Sequence, residues 1–525
     1  MINLNETVLG IELGSTRIKA VLIDREHKPI ASGSFEWENQ LRSGIWTYDI
    51  DDAVAGLRAC YSDLKRQVQD RYGVLLTTVA AIGISGMMHG YLPFDREGKL
   101  LCPFRTWRNR MTAEAAERLS ALFDFNIPQR WSIAHLYQAM LRSEPHLSRL
   151  AKIQTLSGYI HRLLTGEYVV GLDEASGMFP IDEKTGGFRS DLLDRFDSLV
   201  RDEGYSFSIR DVLPAPLPAG ASAGYLTQEG AELLDPEGDL IPGIPFAAPE
   251  GDAGTGMVAT NSVRVGTGNV SGGTSDFAMI VVERLPGVHE EIDMVTTPSG
   301  LPVAMIHCAN CTSDINAWVE LFSEFAEKTG NPVEKGDLYE LLFQEALKGE
   351  PDCGGLLSYN YYSGEGITHL SEGRPVFART PDSRMTLPNF MRNHLTSALA
   401  TLKIGLEILL RDQKVPIDSL TAHGGFFKTK GVGQRILSAA TGVPVSTLET
   451  SGEGGPYGMA LLAAYLAWKT DGESLEEYLD HKVFCSAKRT TVLAEPEEID
   501  GFNRYVDRYR KAFSVECEAV RTIDL

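Results

Sequence analysis

This 525-residue chain has no long apolar stretch, no cluster of basic residues and no regular cysteine framework. The apolar run at 460–468 is too short to cross a bilayer, and the first residues lack the basic start and apolar core of a secretory signal. Acidic residues number 71 against 49 basic ones, which gives a net charge of −22. These absences argue against nucleic acid and membranes as partners and predict a cytoplasmic protein.

Seven cysteines form an odd, scattered set that favours free buried thiols over disulfides. Only Cys308 and Cys311 have the spacing of a metal-binding pair. A structural zinc site needs four ligands, and the sequence near this pair offers two. Packing at a strand end is therefore favoured over a zinc site.

A dinucleotide-binding motif is missing too. No G-x-G-x-x-G follows the first predicted strand into a helix, because that strand enters a hairpin instead. The many glycines therefore do not indicate an NAD-dependent enzyme.

The most informative features present are two turns rich in glycine and hydroxyl groups, at 10–16 and 272–275. Each lies between two apolar strand patterns, so each can offer backbone N–H groups and hydroxyls to phosphate oxygens. The chain is long enough for two domains. The spacing predicts a split ATP site, with one turn in each domain.

The strand and helix patterns occur twice. Strands are predicted at 8–13, 19–24 and 28–35, followed by a helix at 50–72 and a strand at 79–85. Strands at 263–270, 277–282 and 302–307 repeat the scheme, followed by an apolar helix face at 395–409, a strand at 420–423 and a helix at 432–441. We therefore expect two similar domains facing each other across a cleft, each turn forming one wall.

The order of short motifs resembles the FGGY carbohydrate kinases of the actin-like ATPase superfamily, and within them the xylulokinase and ribulokinase branch. The motifs are Glu12–Thr16, Gly86–Gly90, Trp107, Ala175–Gly177, Gly251-Asp252, Gly273–Ser275, Ser363–Glu365 and Gly424-Gly425.

This resemblance implies an α/β fold of two ribonuclease H-like domains, with mixed β-sheets flanked by helices and an interdomain cleft. It further implies a sugar-binding domain at 1–258 and a nucleotide-binding domain at 259–470. The charged segment 471–525 is expected to be a helical extension packed on the second domain.

Asp252 is the candidate catalytic base. A kinase positions a sugar hydroxyl in line with the γ-phosphoryl group and provides a carboxylate to accept its proton. Asp252 stands in a glycine-rich run and, by resemblance, at the position of the family's catalytic aspartate. The alternative is a turn aspartate that bonds its own backbone.

The first turn is expected to hold phosphate and Mg²⁺. By resemblance, the metal ligand is Glu12, where the family has aspartate. Mg²⁺ keeps several waters and needs one or two carboxylates, so a glutamate can serve; the alternative is an impaired site. Phosphate contacts are assigned to Gly14, Ser15, Thr16 and Lys19, although Lys19 fits a solvated strand residue equally well.

The second turn and a later glycine pair complete the expected ATP site. Gly273 permits close backbone approach, while Thr274 and Ser275 can donate to β- or γ-phosphate oxygens. By resemblance, Gly424 and Gly425 lie against the adenosine.

The sugar pocket follows from the resemblance, which assigns to it Met88, His89, Trp107, Asn109 and Asp252. The family continues after the tryptophan with Asn-Asp-x-Arg, and this chain has Asn109 where that aspartate is expected. The change from acid to amide is expected to alter which sugar is accepted.

Together these features predict an ATP- and Mg²⁺-dependent kinase acting on a small-molecule ketose or polyol. A ketopentose such as xylulose or ribulose is the first expectation. The alternative is an actin-like ATPase or sugar-binding protein with weakened transfer activity. The sequence leaves the oligomeric state open, a homodimer included.

Overall fold

The computed structural model describes residues 3–284, 287–449 and 454–523. These residues form two compact units. The first unit comprises residues 3–263, 293–303 and 454–486, and the second unit comprises 264–284, 287–292, 304–449 and 487–523. No helix within the described ranges has the length and apolar character needed to span a membrane.

Short strands alternate with helices along the whole chain. The strands are Val8–Leu13 (β1), Arg17–Ile23 (β2), Pro29–Glu36 (β3), Gln40–Arg42 (β4), Ile45–Thr47 (β5), Ala81–Gly86 (β6), Leu92–Phe94 (β7), Lys152–Gln154 (β8), Val169–Gly171 (β9), Ile181–Asp182 (β10), Gly187–Phe188 (β11), Ala215–Leu217 (β12), Ser222–Tyr225 (β13), Pro245–Ala247 (β14), Glu250–Gly251 (β15), Thr267–Gly272 (β16), Asp276–Val281 (β17), Asp293–Thr296 (β18), Pro302–Cys308 (β19), Leu357–Asn360 (β20), Pro375–Ala378 (β21), Ser419–His423 (β22), Val445–Leu448 (β23) and Arg489–Val492 (β24).

The helices are Ile50–Tyr72 (α1), Ala113–Phe123 (α2), Ser132–Leu141 (α3), Leu156–Thr165 (α4), Leu172–Ser176 (α5), Ser190–Asp202 (α6), Ile209–Val212 (α7), Gln228–Leu234 (α8), Asp252–Ala259 (α9), Ser313–Lys328 (α10), Lys335–Ala346 (α11), Leu387–Ala398 (α12), Ala400–Glu407 (α13), Val432–Thr441 (α14), Gly454–Trp468 (α15), Leu475–Tyr478 (α16), Pro496–Lys511 (α17) and Ser514–Thr522 (α18).

The main sheet of the first unit has the strand order β13-β14-β6-β1-β2-β3, with β15 pairing to β6. Strands β1, β2 and β3 are antiparallel neighbours, whereas β6 runs parallel to β1. Helix α1 packs on β2 and β3, and its buried face includes Leu57, Tyr61 and Leu64. The predicted antiparallel start followed by a helix and a buried strand is confirmed.

The second unit repeats this arrangement. Its sheet contains the order β19-β17-β16-β22-β23-β24, with β16 antiparallel to β17 and parallel to β22. The helix predicted at 432–441 is α14. The predicted strand at 263–270 lies later in the chain, at β16. The predicted helix face at 395–409 is divided between α12, α13 and a π-helical turn at Ile408–Asp412.

Helix α15 belongs to the first unit although its residues come late in the chain. It packs on β1, β6 and α9 at glycines that bring backbones together. A Cβ at Gly10 would lie 2.2 Å from the Pro456 carbonyl oxygen, and one at Gly458 would lie 1.9 Å from the Thr255 carbonyl oxygen. The two units therefore differ from the consecutive segments 1–258, 259–470 and 471–525 expected from the sequence.

We expect Gly458→Ala to lower the free energy of unfolding of the first unit by about 3 kcal/mol. The added methyl group would collide with the α9 backbone at Thr255, which cannot move aside as a flexible side chain can. Differential scanning calorimetry of the unliganded protein would show this as a lower transition temperature.

Gly336→Ala is the matched control for this substitution. Gly336 also lies in a helix, α11, but its Cβ would meet open space. Because alanine favours helix more than glycine does, this change is expected to stabilise by about 0.5–1 kcal/mol. Equal transition temperatures for the two variants would contradict the packing argument.

Candidate active site

The first turn joins β1 to β2 and leaves its hydroxyl side chains exposed. The Gly14 N–H donates to the Arg17 carbonyl oxygen at 3.0 Å and closes the turn. Two aromatic side chains donate hydrogen bonds to the backbone of this turn. Trp37 Nε1 donates to the Gly14 carbonyl oxygen at 2.7 Å, and the Tyr48 hydroxyl donates to the Ser15 carbonyl oxygen at 2.6 Å. Ser15 and the adjacent Thr16 lie at the surface of the first unit, where their hydroxyls can meet a phosphate.

Glu12 lies in the centre of a row across the sheet. It is opposite Lys19 on β2 and Ser85 on β6. Burial and the nearby charge of Asp252 raise the pKa of Glu12 to about 7, against the opposing effect of Lys19. A Cβ at Gly455 would lie 2.6 Å from the Glu12 carboxyl carbon, so glycine makes room for this group.

This donor set fits Mg²⁺. The ion binds protein through one or two carboxylates and retains several waters, and Glu12 with Asp252 nearby supplies that chemistry. The buried carboxyl of Glu12 forms no ion pair within the part of the chain that the structure describes, which leaves it available to a cation. Glu12 would be the protein ligand.

Asp252 is the first residue of α9 and lies next to the turn that carries the predicted sugar-binding residues. Its Oδ1 accepts a hydrogen bond from the Met88 N–H at 3.0 Å. Burial raises the pKa of Asp252, and the Met88 N–H partly offsets this effect. The structure therefore brings Met88, Asp252 and Glu12 together.

His89 is part of a charged network that the sequence did not reveal. The Arg130 Nε donates to His89 Nε2 at 3.0 Å, and Arg130 forms an ion pair with Asp293. Asn126 Nδ2 donates to the same aspartate at 3.1 Å. Because His89 Nε2 accepts, the ring is held as the Nδ1–H form. Neither Arg130 nor Asp293 belongs to a motif that the local sequence reveals.

Trp107 and Asn109 differ in their availability to a ligand. Trp107 is 39% exposed, whereas Asn109 is 3% exposed. The Asn109 Oδ1 accepts from the Trp46 N–H at 2.9 Å, and its Nδ2 donates to the Trp46 and Thr106 carbonyl oxygens at 2.8 and 3.0 Å. The side-chain amide of Asn109 thus forms its hydrogen bonds with the backbone of β5 and of its own turn. These bonds give Asn109 a structural role beside Trp107.

The second turn lies in the second unit, between β16 and β17. The Gly273 N–H donates to the Ser275 carbonyl oxygen at 2.9 Å. The 308–312 loop holds the turn: the Cys311 N–H donates to the Thr274 carbonyl oxygen at 2.9 Å, and the Thr312 hydroxyl donates to that of Gly273 at 2.8 Å. The Thr274 side chain is exposed.

The later glycine pair lies beside this turn. Gly424 has a φ of +95°, and a Cβ there would lie 2.4 Å from the Gly272 carbonyl oxygen. Gly425 borders open space instead. Within the second unit, the structure therefore brings the two motifs predicted to contact ATP side by side.

The 308–312 loop gives the cysteine pair a place in the fold. Cys308 and Cys311 are both buried, and burial raises the pKa of both thiols well above the usual range. Among the described residues, the one cluster with metal-like spacing is Glu290, Glu291 and His369, away from these cysteines in the sequence. The loop is thus a packed support for the second turn.

We expect Thr312→Val to raise the KM for ATP about three- to tenfold with little change in kcat, because one hydrogen bond to the turn is lost while the backbone bond remains. Steady-state kinetics with varied ATP would measure this. Thr312→Ser, which keeps the hydroxyl, serves as the control, and equal KM values for both variants would contradict the supporting role.

Solved structures of other proteins share this fold over nearly the whole chain. The crystal structure of xylulose kinase from Rhodospirillum rubrum matches with a TM-score of 0.78 at 19% identity, covering 97% of this chain and 98% of that chain. Gluconate kinase from Lactobacillus acidophilus matches with a TM-score of 0.78 at 18% identity, covering 98% and 99%. The chain therefore has the same two-domain α/β fold as these two proteins.

Family models cover both halves of the sequence. The N-terminal domain of the FGGY family of carbohydrate kinases matches residues 7–259, and the C-terminal domain of that family matches 268–467. A xylulose kinase of Lactococcus lactis is 20% identical over 537 residues, covering 97% of each chain. The chain belongs to the FGGY family of carbohydrate kinases. It is a phosphotransferase: ATP is the phosphoryl donor, and an alcohol group of a small sugar is the acceptor.

Proposed function

We propose that this chain transfers the γ-phosphoryl group of ATP to a hydroxyl of a ketose, with a ketopentose as the preferred class. The observation that carries the proposal is the hydrogen bond from the Met88 N–H to Asp252 Oδ1. This bond joins the turn that is proposed to bind the sugar to the carboxylate that is proposed to accept the proton of the sugar hydroxyl.

Asp252 would act as the general base. The sugar hydroxyl proton moves to the Asp252 carboxylate while its oxygen bonds to the γ-phosphorus and the bond to ADP breaks. Burial raises the pKa of Asp252, which makes the ionised carboxylate a better proton acceptor. The Met88 N–H donates to Oδ1 of this carboxylate.

The two turns would bind the phosphate groups, each within its own unit. Gly14, Ser15, Thr16 and Lys19 offer N–H groups, hydroxyls and a cation in the first unit. In the second unit, Gly273, Thr274 and Ser275 do so beside Gly424 and Gly425, where a nucleotide can lie against bare backbone. Glu12 would hold Mg²⁺, and the ion would supply positive charge to offset that of the phosphate groups.

The sugar pocket supports a neutral polyhydroxyl substrate. Met88 and Trp107 supply apolar surfaces for the carbon chain, and His89 supplies a fixed imidazole. Arg130 is neutralised by Asp293, which argues against an anionic sugar such as gluconate, although a gluconate kinase shares the fold. The relatives named xylulose kinases favour a ketopentose.

A coupled assay of ADP release tests this proposal. Ketopentoses, ketohexoses, polyols and gluconate are supplied singly with MgATP, and the sugar phosphate is identified by mass spectrometry. We expect one ketopentose to give the highest kcat/KM. ATP hydrolysis that no sugar stimulates would overturn the transfer function, and a preference for gluconate would overturn the substrate class.

Mg²⁺ affinity is expected to fall as the pH drops below 7. Burial, together with the charge of Asp252, raises the pKa of Glu12 to about 7, and a proton competes with the metal for this carboxylate. The Mg²⁺ concentration giving half-maximal activity should rise about tenfold per pH unit in the acid range. Metal titrations between about pH 6 and pH 8 measure this; Glu12→Gln should show no such trend, and a pH-independent half-saturation in the parent protein would contradict it.

A further inference from the structure

Helix α9 begins at the proposed base but has no side-chain cap of its own. Its N-cap residue is Gly251, and Asp252 is its first residue. The N–H groups of a first helical turn need acceptors from outside the helix. Here the Gly254 N–H donates to Asp173 Oδ2 at 3.0 Å. Asp173 belongs to α5, so the cap comes from a distant part of the sequence.

Glycine is required where Asp173 approaches this turn. A Cβ at Gly254 would lie 2.4 Å from the Asp173 carboxyl carbon, and a Cβ at Gly251 would lie 2.7 Å from its Oδ2. Neither position could carry a side chain without moving the carboxyl group. Asp173 therefore rests directly on the two backbone positions that flank Asp252 and Ala253.

Two further buried acids surround Asp173. The Glu174 N–H donates to Glu250 Oε2 at 3.2 Å, and a Cβ at Gly171 would lie 2.1 Å from the Glu250 carboxyl carbon. Asp173, Glu174 and Glu250 are each at most 1% exposed. None of the three forms an ion pair with a Lys, Arg or His in the described part of the chain.

The three acids differ in the charge they can hold. Burial raises the pKa of Glu174 and of Glu250 well above the ordinary value, which favours the neutral form of each. Burial and the charge of Asp252 raise the pKa of Asp173 to about 7, while the N–H groups of Gly254 and Gly251 favour its ionised form. The titratable groups facing Asp173 are Asp252 from α9, Glu174 from its own helix and Glu250 from β15.

We propose that Asp173 is a positioning residue for phosphoryl transfer, which caps α9 from outside and thereby fixes the direction of the Asp252 carboxylate. This rests on the proposed function, in which Asp252 is the base. Asp173 exchanges no proton with the sugar and contacts no reacting atom. Glu174 and Glu250 line the space that Asp173 occupies.

A pair of substitutions separates capping from charge. Asp173→Ala removes the acceptor, and Asp173→Asn keeps an oxygen that the Gly254 N–H can reach. A shift of about 1 Å in a reacting group can cost about 100-fold in rate. We expect Asp173→Ala to lower kcat about 30- to 100-fold with KM for the sugar changed less than about threefold, and Asp173→Asn to keep kcat within about threefold.

The kcat measured per folded active site gives a readout that a purely structural role would not move. Asp173→Asn keeps an acceptor for the Gly254 N–H and should therefore retain the kcat that Asp173→Ala loses. A residue that only stabilised the fold would change the melting temperature and the active fraction, and leave kcat per active site in place.

Gly254→Ala provides an independent test that leaves Asp173 unchanged. Its methyl group would displace the Asp173 carboxyl from the α9 turn. We expect a loss of kcat close to that of Asp173→Ala, and no further loss in the double variant, because both changes break the same contact. Circular dichroism and active-site titration establish that each variant is folded; if Asp173→Ala does not fold, Asp173→Asn and Gly254→Ala carry the test.

The outcomes separate this inference from the proposed function. Asp173→Ala with a kcat within about threefold of the parent would overturn it. So would additive losses in the double variant, or an Asp173→Asn variant whose kcat is as low as that of Asp173→Ala. Asp252→Asn measured in parallel tests the base itself: if that variant keeps full transfer, the proposed function fails first. A large loss in Asp252→Asn with no loss in Asp173→Ala would overturn the positioning role alone.

Discussion

Asp252→Asn is expected to lower kcat about 1,000-fold, while binding of the sugar changes by no more than a few-fold. Asparagine keeps the oxygen that accepts the Met88 N–H, so the turn assigned to the sugar stays in place. What it loses is the ability to accept a proton from the sugar hydroxyl. Steady-state kinetics with the preferred sugar, together with calorimetric titration of that sugar, would measure the two effects separately.

Asp95→Asn is the matched control. Asp95 is also a buried aspartate of the first unit, and its Oδ1 accepts the Lys99 N–H at 2.8 Å, a bond that asparagine can keep. It should leave kcat within about twofold. Full activity in Asp252→Asn would show that another group takes the proton.

Glu12→Gln is expected to lower kcat/KM for ATP about 100-fold, because a neutral amide is a poor ligand for Mg²⁺ and leaves phosphate charge uncompensated. Raising the Mg²⁺ concentration should restore part of the activity. Glu36→Gln, an exposed glutamate on β3, is the control and should behave like the parent protein. Unchanged Mg²⁺ dependence in Glu12→Gln would remove Glu12 from the metal site.

Glu12→Gln should also stabilise the protein at alkaline pH when neither Mg²⁺ nor ATP is bound. The pKa of Glu12 in the folded chain is about 7, against 4.5 for a free glutamate, so the folded state binds this proton more tightly than the unfolded state. That contribution to stability is full below about pH 4.5 and is lost as the pH rises through 7. A difference of this size corresponds to about 3 kcal/mol.

Glu12→Gln does not ionise and so avoids this loss. Without Mg²⁺ or ATP, its free energy of unfolding should exceed that of the parent protein at pH 8, and the two should converge in acid. Thermal denaturation across this pH range measures the difference. A parent protein that is the more stable of the two at pH 8 would contradict the buried state of Glu12.

Local sequence patterns predicted those parts of the fold in which hydrogen bonds join neighbouring segments. The β1–β2 turn is closed by Gly14 and Arg17, three residues apart, and α1 begins and ends where its pattern predicts. The Gly-Thr-Ser turn likewise lies between two consecutive strands. Such short-range features follow from turn chemistry and periodicity alone.

Features that depend on distant partners could not be predicted in this way. Asn109 looked like a hydroxyl ligand, but its amide bonds the Trp46 backbone. The role of Arg130 follows only from its contacts with His89 and Asp293. In each case the side chain type permits several roles, and the choice is made by packing between segments that are far apart in sequence.

The late position of helix α15 has a consequence for how the protein is made. Strand β1 leaves the ribosome first, but the helix that covers its Gly10 is translated only after the whole of the 304–449 segment. The first unit therefore cannot complete its core during most of synthesis. A nascent or truncated chain ending near residue 263 would expose the glycine-lined face of β1 and β6, and would be a natural target for chaperones and proteases.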